Sequence, residues 1–171
     1  MPATRDDLMA TLASLGIATN TVEHPPLFTV EEARALRGEI PGAHTKNLFL
    51  KDKKDALFLV VAPEEGAIDL KQLHHRIGAA GRLSFGKAEL LMEVLGVSPG
   101  AVTAFAPIND TAGRVTVVLD KELTASDRLN CHPLVNTATT TIAMRDLLAF
   151  LRTTGHEPLI VPISGASPEE L

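Results

Sequence analysis

Two apolar segments separated by five charged residues limit most tightly what this chain can fold into. Leu48 and Leu50 alternate with Asn47 and Phe49, and the turn Lys51-Asp52-Lys53-Lys54-Asp55 leads into the unbroken apolar run Ala56-Leu57-Phe58-Leu59-Val60-Val61-Ala62. Alternation, a short polar turn and a second apolar run predict a β-hairpin. Lys46 falls at the start of its first strand, after a Pro41-Gly42 turn, where an apolar residue would be the ordinary choice. The plain reading of Lys46 is a solvated lysine at a strand end, since lysines are rarely buried.

The rest of the chain alternates short helices with short strands. Leu8, Leu12 and Leu15 share one face of a helix over Asp6–Leu15, with Thr4 as its N-cap, Asp7 three residues on and Gly16 as its stop. Thr19–Glu23 is expected to be a strand that His24-Pro25-Pro26 ends. Thr29 is expected to cap a second helix that Gly38 closes. Glu31 and Glu32 suit its positive end, and Arg34 and Arg37 its negative end. The helix leads to Lys46 and is expected to wall the site, its apolar residues Phe28, Val30 and Leu36 packing in the core or, for one or two of them, lining the pocket. Asp69 is expected to cap a helix to Ile77. His74 and His75 on it are about 100° apart, a poor spacing for sharing a ligand. A short strand is expected at Arg82–Ser84, a helix over Lys87–Leu95, and a turn at Ser98-Pro99-Gly100 leading into a strand through Val102 and Thr103. Arg114–Asp120 is β-branched and nearly all apolar, as a central strand would be. Lys121–Asp127 reads as a charged connector. Met144, Leu147, Leu148 and Leu151 share a face of a last helix over Met144–Thr153. Pro158–Val161 reads as an edge strand, and Gly165 to Leu171 as a frayed tail.

At 171 residues, 45% hydrophobic and 22% charged, the chain is expected to be a single domain, 1–171, with a full core. No apolar run approaches the ~20 residues that span a bilayer, and the N-terminus lacks a basic segment followed by an apolar one. The single cysteine, Cys131, rules out a disulfide within the chain. A reducing cytoplasm suits these features. A net charge of −5 argues against broad nonspecific nucleic-acid binding, DNA included. It leaves room for a few local charges that grip one RNA end. Six phenylalanines, with no Trp or Tyr, offer little for base stacking.

Catalytic groups are scarce. Cys131 and His132 are neighbours, and on a strand neighbours point to opposite faces, so they make a poor thiol–imidazole pair. No Gly-x-Ser-x-Gly elbow is present, and no ligand cluster suggests zinc.

Three segments in order carry a resemblance. Thr45-Lys46-Asn47-Leu48-Phe49-Leu50 resembles the lysine motif of the YbaK/ProX family, editing domains that deacylate mischarged tRNA. Ser98-Pro99-Gly100-Ala101-Val102-Thr103 resembles the small-residue turn of the same family, although Ala104 stands where members commonly continue with proline. Asn130-Cys131-His132-Pro133, followed by a Thr-rich stretch to Thr141, resembles its His-Pro turn and strand. The resemblance covers about residues 4 to 162. It implies an α+β domain, with a mixed, partly barrel-like β-sheet and flanking helices. It implies hydrolysis of the ester between an amino acid and the terminal ribose of tRNA, by water and without a cofactor or metal. Lys46, a cation at neutral pH, would be the catalytic or substrate-orienting residue. Asn47 would contact the terminal adenosine, Gly100 and Ala101 would present backbone amides, and His132 would shape the aminoacyl pocket or simply hold its turn. The branch most resembled, ProX, clears alanine from proline tRNA; the sister YbaK branch clears cysteine. A smaller side chain is hard to reject, since one methylene is worth only ~1–3 kcal/mol, so serine or glycine would also enter. Partners implied are charged tRNA and, to present it, prolyl-tRNA synthetase or an elongation factor. A binding module without hydrolysis is the other class open to such a chain.

Overall fold

The computed structural model describes residues 2–26, 31–32, 34–35 and 40–164. Glu31, Glu32, Arg34 and Ala35 are helical. The expected caps Thr29 and Gly38, the residues Phe28, Val30, Leu36 and Arg37, and the tail from Gly165 lie outside the described residues.

The hairpin forms. Strand β2 (Ala43–Lys51) pairs antiparallel with β3 (Leu57–Pro63), with Lys46 opposite Ala62 and Leu50 opposite Phe58. Lys46 is therefore the fourth residue of its strand, not its first. Asp52 shapes the turn: its carboxylate accepts from the amides of Lys54, Ala56 and Ala80. The run in β3 is apolar on both faces because both are covered. Leu57, Leu59 and Val61 face one core with Leu8 and Leu12 of α1 (Arg5–Ser14), Leu91, Val94 and Leu95 of α3 (Ala88–Leu95), and Leu147 and Phe150 of α4 (Met144–Thr153). Phe58, Val60 and Ala62 face a smaller core with Leu73 and Ile77 of α2 (Leu73–Ile77). Period-two alternation assigns each side chain to its layer.

The sheet has eight strands in the order β1-β7-β6-β2-β3-β5-β8, with β4 added on β2. These are β1 (Thr19–Glu23), β4 (Ser84–Phe85), β5 (Val115–Asp120), β6 (Arg128–Cys131), β7 (Ala138–Ala143) and β8 (Leu159–Val161). Strand β5 runs parallel between β3 and β8, which explains its nearly continuous apolar character. The mixed sheet with flanking helices is the architecture the resemblance implied.

Several local expectations are corrected. The helix at Asp69 starts only at Leu73, because Asp69 closes a turn first: its carbonyl accepts from the Gln72 and Leu73 amides and its side chain from Lys71. Pro99–Ala101 and Ala106–Asn109 are 3-10 turns, and no strand follows Ser98-Pro99-Gly100. Thr103 instead turns its hydroxyl to the His132 carbonyl at 2.6 Å. The strand assumed at Cys131 is β6, which begins at Arg128 and ends before His132. By contrast, Thr4 and Asp7 form the reciprocal cap of α1.

A polar cavity where the sheet divides

The site follows from the pairing of β2. On one side β3 accompanies it from Thr45 to Lys51. On the other, β6 pairs only with Ala43 and His44, and β4 only with Leu50 and Lys51. Between these two contacts β2 has no described strand partner, and the sheet opens. The His44 carbonyl accepts from the Glu64 amide on the β3 side, whereas the Phe49 carbonyl accepts from Gly86 on the β4 side. By the alternation of an antiparallel ladder, the backbone N–H and C=O of Asn47 point into the opening.

A cavity of about 280 Å³ occupies it, lined by His44–Asn47 of β2 and Glu64 just after β3, Pro99, Gly100 and Val102 from the small-residue turn, Asn130 and Cys131 of β6 with His132 just after it, and Thr139 of β7. The three sequence segments, far apart in the chain, thus meet around one space. Lys46 is the only lysine or arginine of that lining among the described residues. It is half-buried, and its Nζ donates to the Gly66 carbonyl. That carbonyl aims the ammonium without neutralising it.

Asn47 presents the opposite case. Its Oδ1 is buried and has no hydrogen-bond partner. A buried amide oxygen without a donor costs about 1–3 kcal/mol, so a donor from a bound molecule is the natural complement. His132 donates from Nδ1 to the Ala138 carbonyl at 3.2 Å. Burial pushes its ring below the ordinary histidine value, against the smaller opposite pull of that hydrogen bond. The ring is neutral at pH 7, and with Nδ1 protonated its lone pair lies on Nε2.

Asn130, to which sequence reasoning gave no role, organises the rim. Its Nδ2 donates to the Pro41 carbonyl at 3.1 Å, its Oδ1 accepts from Thr141, and its carbonyl accepts from the Thr45 hydroxyl at 2.8 Å. These bonds tie the segment before Lys46 to β6. Gly42 makes the approach feasible: its φ is +106°, and a Cβ there would come 3.0 Å from Asn130 Nδ2. Thr139 is linked to a further histidine, accepted by His24 Nε2 at 2.8 Å while His24 Nδ1 donates to Pro25.

Ala101 does not line the cavity. It is buried in the larger core and its N–H donates to the Ser98 carbonyl at 2.9 Å, so that amide is not available to a ligand. Gly100 does face the space; a Cβ there would meet only the Asn136 side chain, at 3.4 Å.

Cys131 is buried, and desolvation raises its thiol to about 12, against a weaker opposing hydrogen bond from Thr45. At pH 8 that leaves on the order of 10⁻⁴ as thiolate, the reactive form. The folded protein should resist iodoacetamide for hours at pH 8 and react once unfolded. Rapid alkylation with loss of activity would instead place the thiol in the chemistry. Among the described residues, no three His, Cys, Asp or Glu side chains converge as a metal site, and no helix is long and apolar enough to cross a membrane.

Comparison with known proteins bears on this arrangement. Residues 24–150 match the family described as the aminoacyl-tRNA editing domain. A zebrafish (Danio rerio) protein, prolyl-tRNA synthetase associated domain-containing protein 1, is 43% identical over 159 residues, spanning 92% of this chain and 86% of that protein. The prolyl-tRNA editing protein ProX of Acetoanaerobium sticklandii is 36% identical over 150 residues, 87% of this chain and 91% of that one. A crystal structure of a proposed trans-editing enzyme for prolyl tRNA synthetase shares the fold, with a TM-score of 0.68 at 21% identity, covering 95% of this chain and 99% of that one.

Proposed function

This chain belongs to the aminoacyl-tRNA editing domain family, and on that premise we propose that it is a trans-acting deacylase that hydrolyses mischarged proline tRNA, alanine being the preferred amino acid. The observation that carries the reading is the cavity itself. It joins a cation, an unpartnered buried acceptor and a neutral histidine at an opening in the sheet, with no activated nucleophile among them.

An aminoacyl ester is already reactive, so positioning and charge stabilisation can suffice. Water attacks the carbonyl carbon, and negative charge develops on the carbonyl oxygen. The bond to the ribose oxygen then breaks, that oxygen takes a proton, and the free amino acid leaves. Lys46 supplies positive charge to the developing oxyanion or to the adjoining phosphate. Asn47 Oδ1 accepts from the terminal adenosine. Gly100 lets the substrate approach the turn closely, and His132 Nε2 accepts a hydrogen bond at the aminoacyl end. The RNA's own ribose hydroxyl assists the water. The reaction belongs in the cytoplasm beside prolyl-tRNA synthetase, which, or an elongation factor, would present the tRNA.

The test is hydrolysis of proline tRNA charged in turn with alanine, cysteine and proline. Loss of alanine alone supports the reading, and loss of cysteine moves the chain to the sister specificity. Stability of all three with folded protein favours a synthetase-associated binding module, the role suggested by the vertebrate relatives' name.

The His132 assignment fixes a pH dependence. A lowered value keeps the ring neutral down through the ordinary histidine range of ~6.5. Corrected for spontaneous hydrolysis, activity should hold from pH 8 to about 6.5 and fall only below that. His132→Asn should remove the acid limb. A limb centred above pH 6.5, or one unchanged in the variant, would contradict the assignment.

A further inference from the structure

Beyond the cavity, several cations lie close to one exposed ring along the chain and across the β2–β4 pairing. Although the chain carries a net charge of −5, Lys51 ends β2, Lys53 and Lys54 sit in the turn after it, and Arg82 and Lys87 flank β4. Of the acids beside them, Asp52 and Asp55 are committed and Glu89 is exposed. Asp52 serves three backbone amides, and Asp55 pairs with Lys51 at 3.8 Å. Lys53, Lys54, Arg82 and Lys87 are exposed and make no ion pair with a described carboxylate. Between Arg82 and Lys87 in the chain is Phe85, 59% exposed, the most exposed of the large hydrophobic residues described. Leu15, Met92, Leu159 and Ile160, the others, lie on other elements.

The ring is held in place from behind. Phe85 pairs with Leu50 and Ser84 with Lys51. The Gly86 amide donates to the Phe49 carbonyl at 2.9 Å, and Gly86 packs so closely on the Phe49 ring that a Cβ would come within 2.4 Å of it. The Lys53 amide donates to the Ala80 carbonyl, and its side chain lies over Gly81. Lys46, Leu48 and Leu50 share a face of β2, and Phe85, directly opposite Leu50, shares it too. Phe85 therefore stands on the same edge of β2 as the opening, about 13 Å along the strand from Lys46.

From this placement we infer that the β4 edge is a docking strip for single-stranded RNA, with one base stacked on Phe85 and the phosphates beside it on Arg82, Lys87 and the turn lysines. It rests on the reading that the cavity takes a tRNA 3′ end, and it extends that reading to the nucleotides before the last. A lone ring among dispersed cations suits a base and its phosphates. A protein partner would call for a broader apolar patch.

The test uses a fluorescein-labelled, uncharged RNA hexamer ending in the tRNA 3′ terminus, so binding is read without hydrolysis. Phe85→Ala should weaken binding about tenfold, and Phe85→Trp should restore it. Arg82→Ala with Lys87→Ala should lower the slope of log affinity against log salt by about 1.4. In deacylation, Phe85→Ala should raise KM for charged tRNA more than it lowers kcat. Unchanged hexamer binding in Phe85→Ala, or wild-type binding indifferent to salt, would overturn the inference. So would a Phe85→Ala variant that keeps RNA but loses prolyl-tRNA synthetase, which would make the strip a protein interface. Hexamer binding with these effects but no deacylation would support the strip and sink the proposed reaction alone.

Discussion

Replacing Lys46 with alanine should reduce kcat for alanyl-tRNA deacylation by about 10²–10³, the usual cost of removing one group that stabilises developing charge. The variant should keep its fold. The Lys46 backbone stays paired with Ala62, and the side chain's one recorded bond is to the Gly66 carbonyl, at a half-buried position. Lys46→Arg should recover little, because the planar guanidinium cannot reproduce a compact ammonium aimed by one carbonyl. Single-turnover rates with circular dichroism of the same samples decide the matter. A folded Lys46→Ala variant with full activity would remove Lys46 from the mechanism.

The largest effect on stability should come from Asp110→Ala, remote from the cavity. Asp110 and His156 form a buried pair, with His156 Nε2 2.8 Å from Oδ2. The same carboxylate accepts from the amides of Arg114 and Val115, at 2.9 and 2.8 Å, and so fastens the start of β5 to the loop between α4 and β8. Alanine would strand these donors in the interior, a loss of about 3–5 kcal/mol. For a chain of this size that lowers Tm by roughly 6–20 °C. Burial alone would raise the Asp110 carboxyl, but the His156 bond and the two amides outweigh it, so its net value is lowered. Its contribution is therefore complete above the ordinary carboxylate range of ~3.9 and fades as pH falls through the lower folded value. Thermal melts at pH 7 and pH 3 should show the variant's deficit shrinking in acid. A deficit under 1 kcal/mol at pH 7 would contradict the role.

What could be read from the sequence depended on the range of the interactions. The hairpin, α1 and α4 were legible because alternation, the Thr4–Asp7 cap and the Met144–Leu151 face are local. The position of Lys46 opposite Ala62 follows from that hairpin. The dividing of the sheet was not legible, because it rests on two residue pairs between β2 and β6, Ala43 with Leu129 and His44 with Asn130. The role of Asn130 was hidden for the same reason: its partners Pro41 and Thr45 lie more than 80 residues away. Val102 and Thr103 carried a strand signal, but Pro99 and Gly100 tightened the chain into a 3-10 turn that spends the Ala101 amide on Ser98. Ser98-Pro99-Gly100 is an ordinary turn by composition, and only its meeting with Lys46 and His132 makes it part of a site.

The most direct test of the central claim, that the opening beside β2 receives the aminoacyl adenosine end, is an NMR titration of ¹⁵N-labelled protein. The probe is adenosine carrying alanine through a 3′ amide, which resists hydrolysis. The largest saturable shifts are expected at Lys46, Asn47, Gly100 and His132, with binding weakened in the Lys46→Ala variant. Largest shifts in the groove lined by Asn20, Arg128 and Arg145, at the other end of β6 and β7, would contradict it and place the substrate elsewhere.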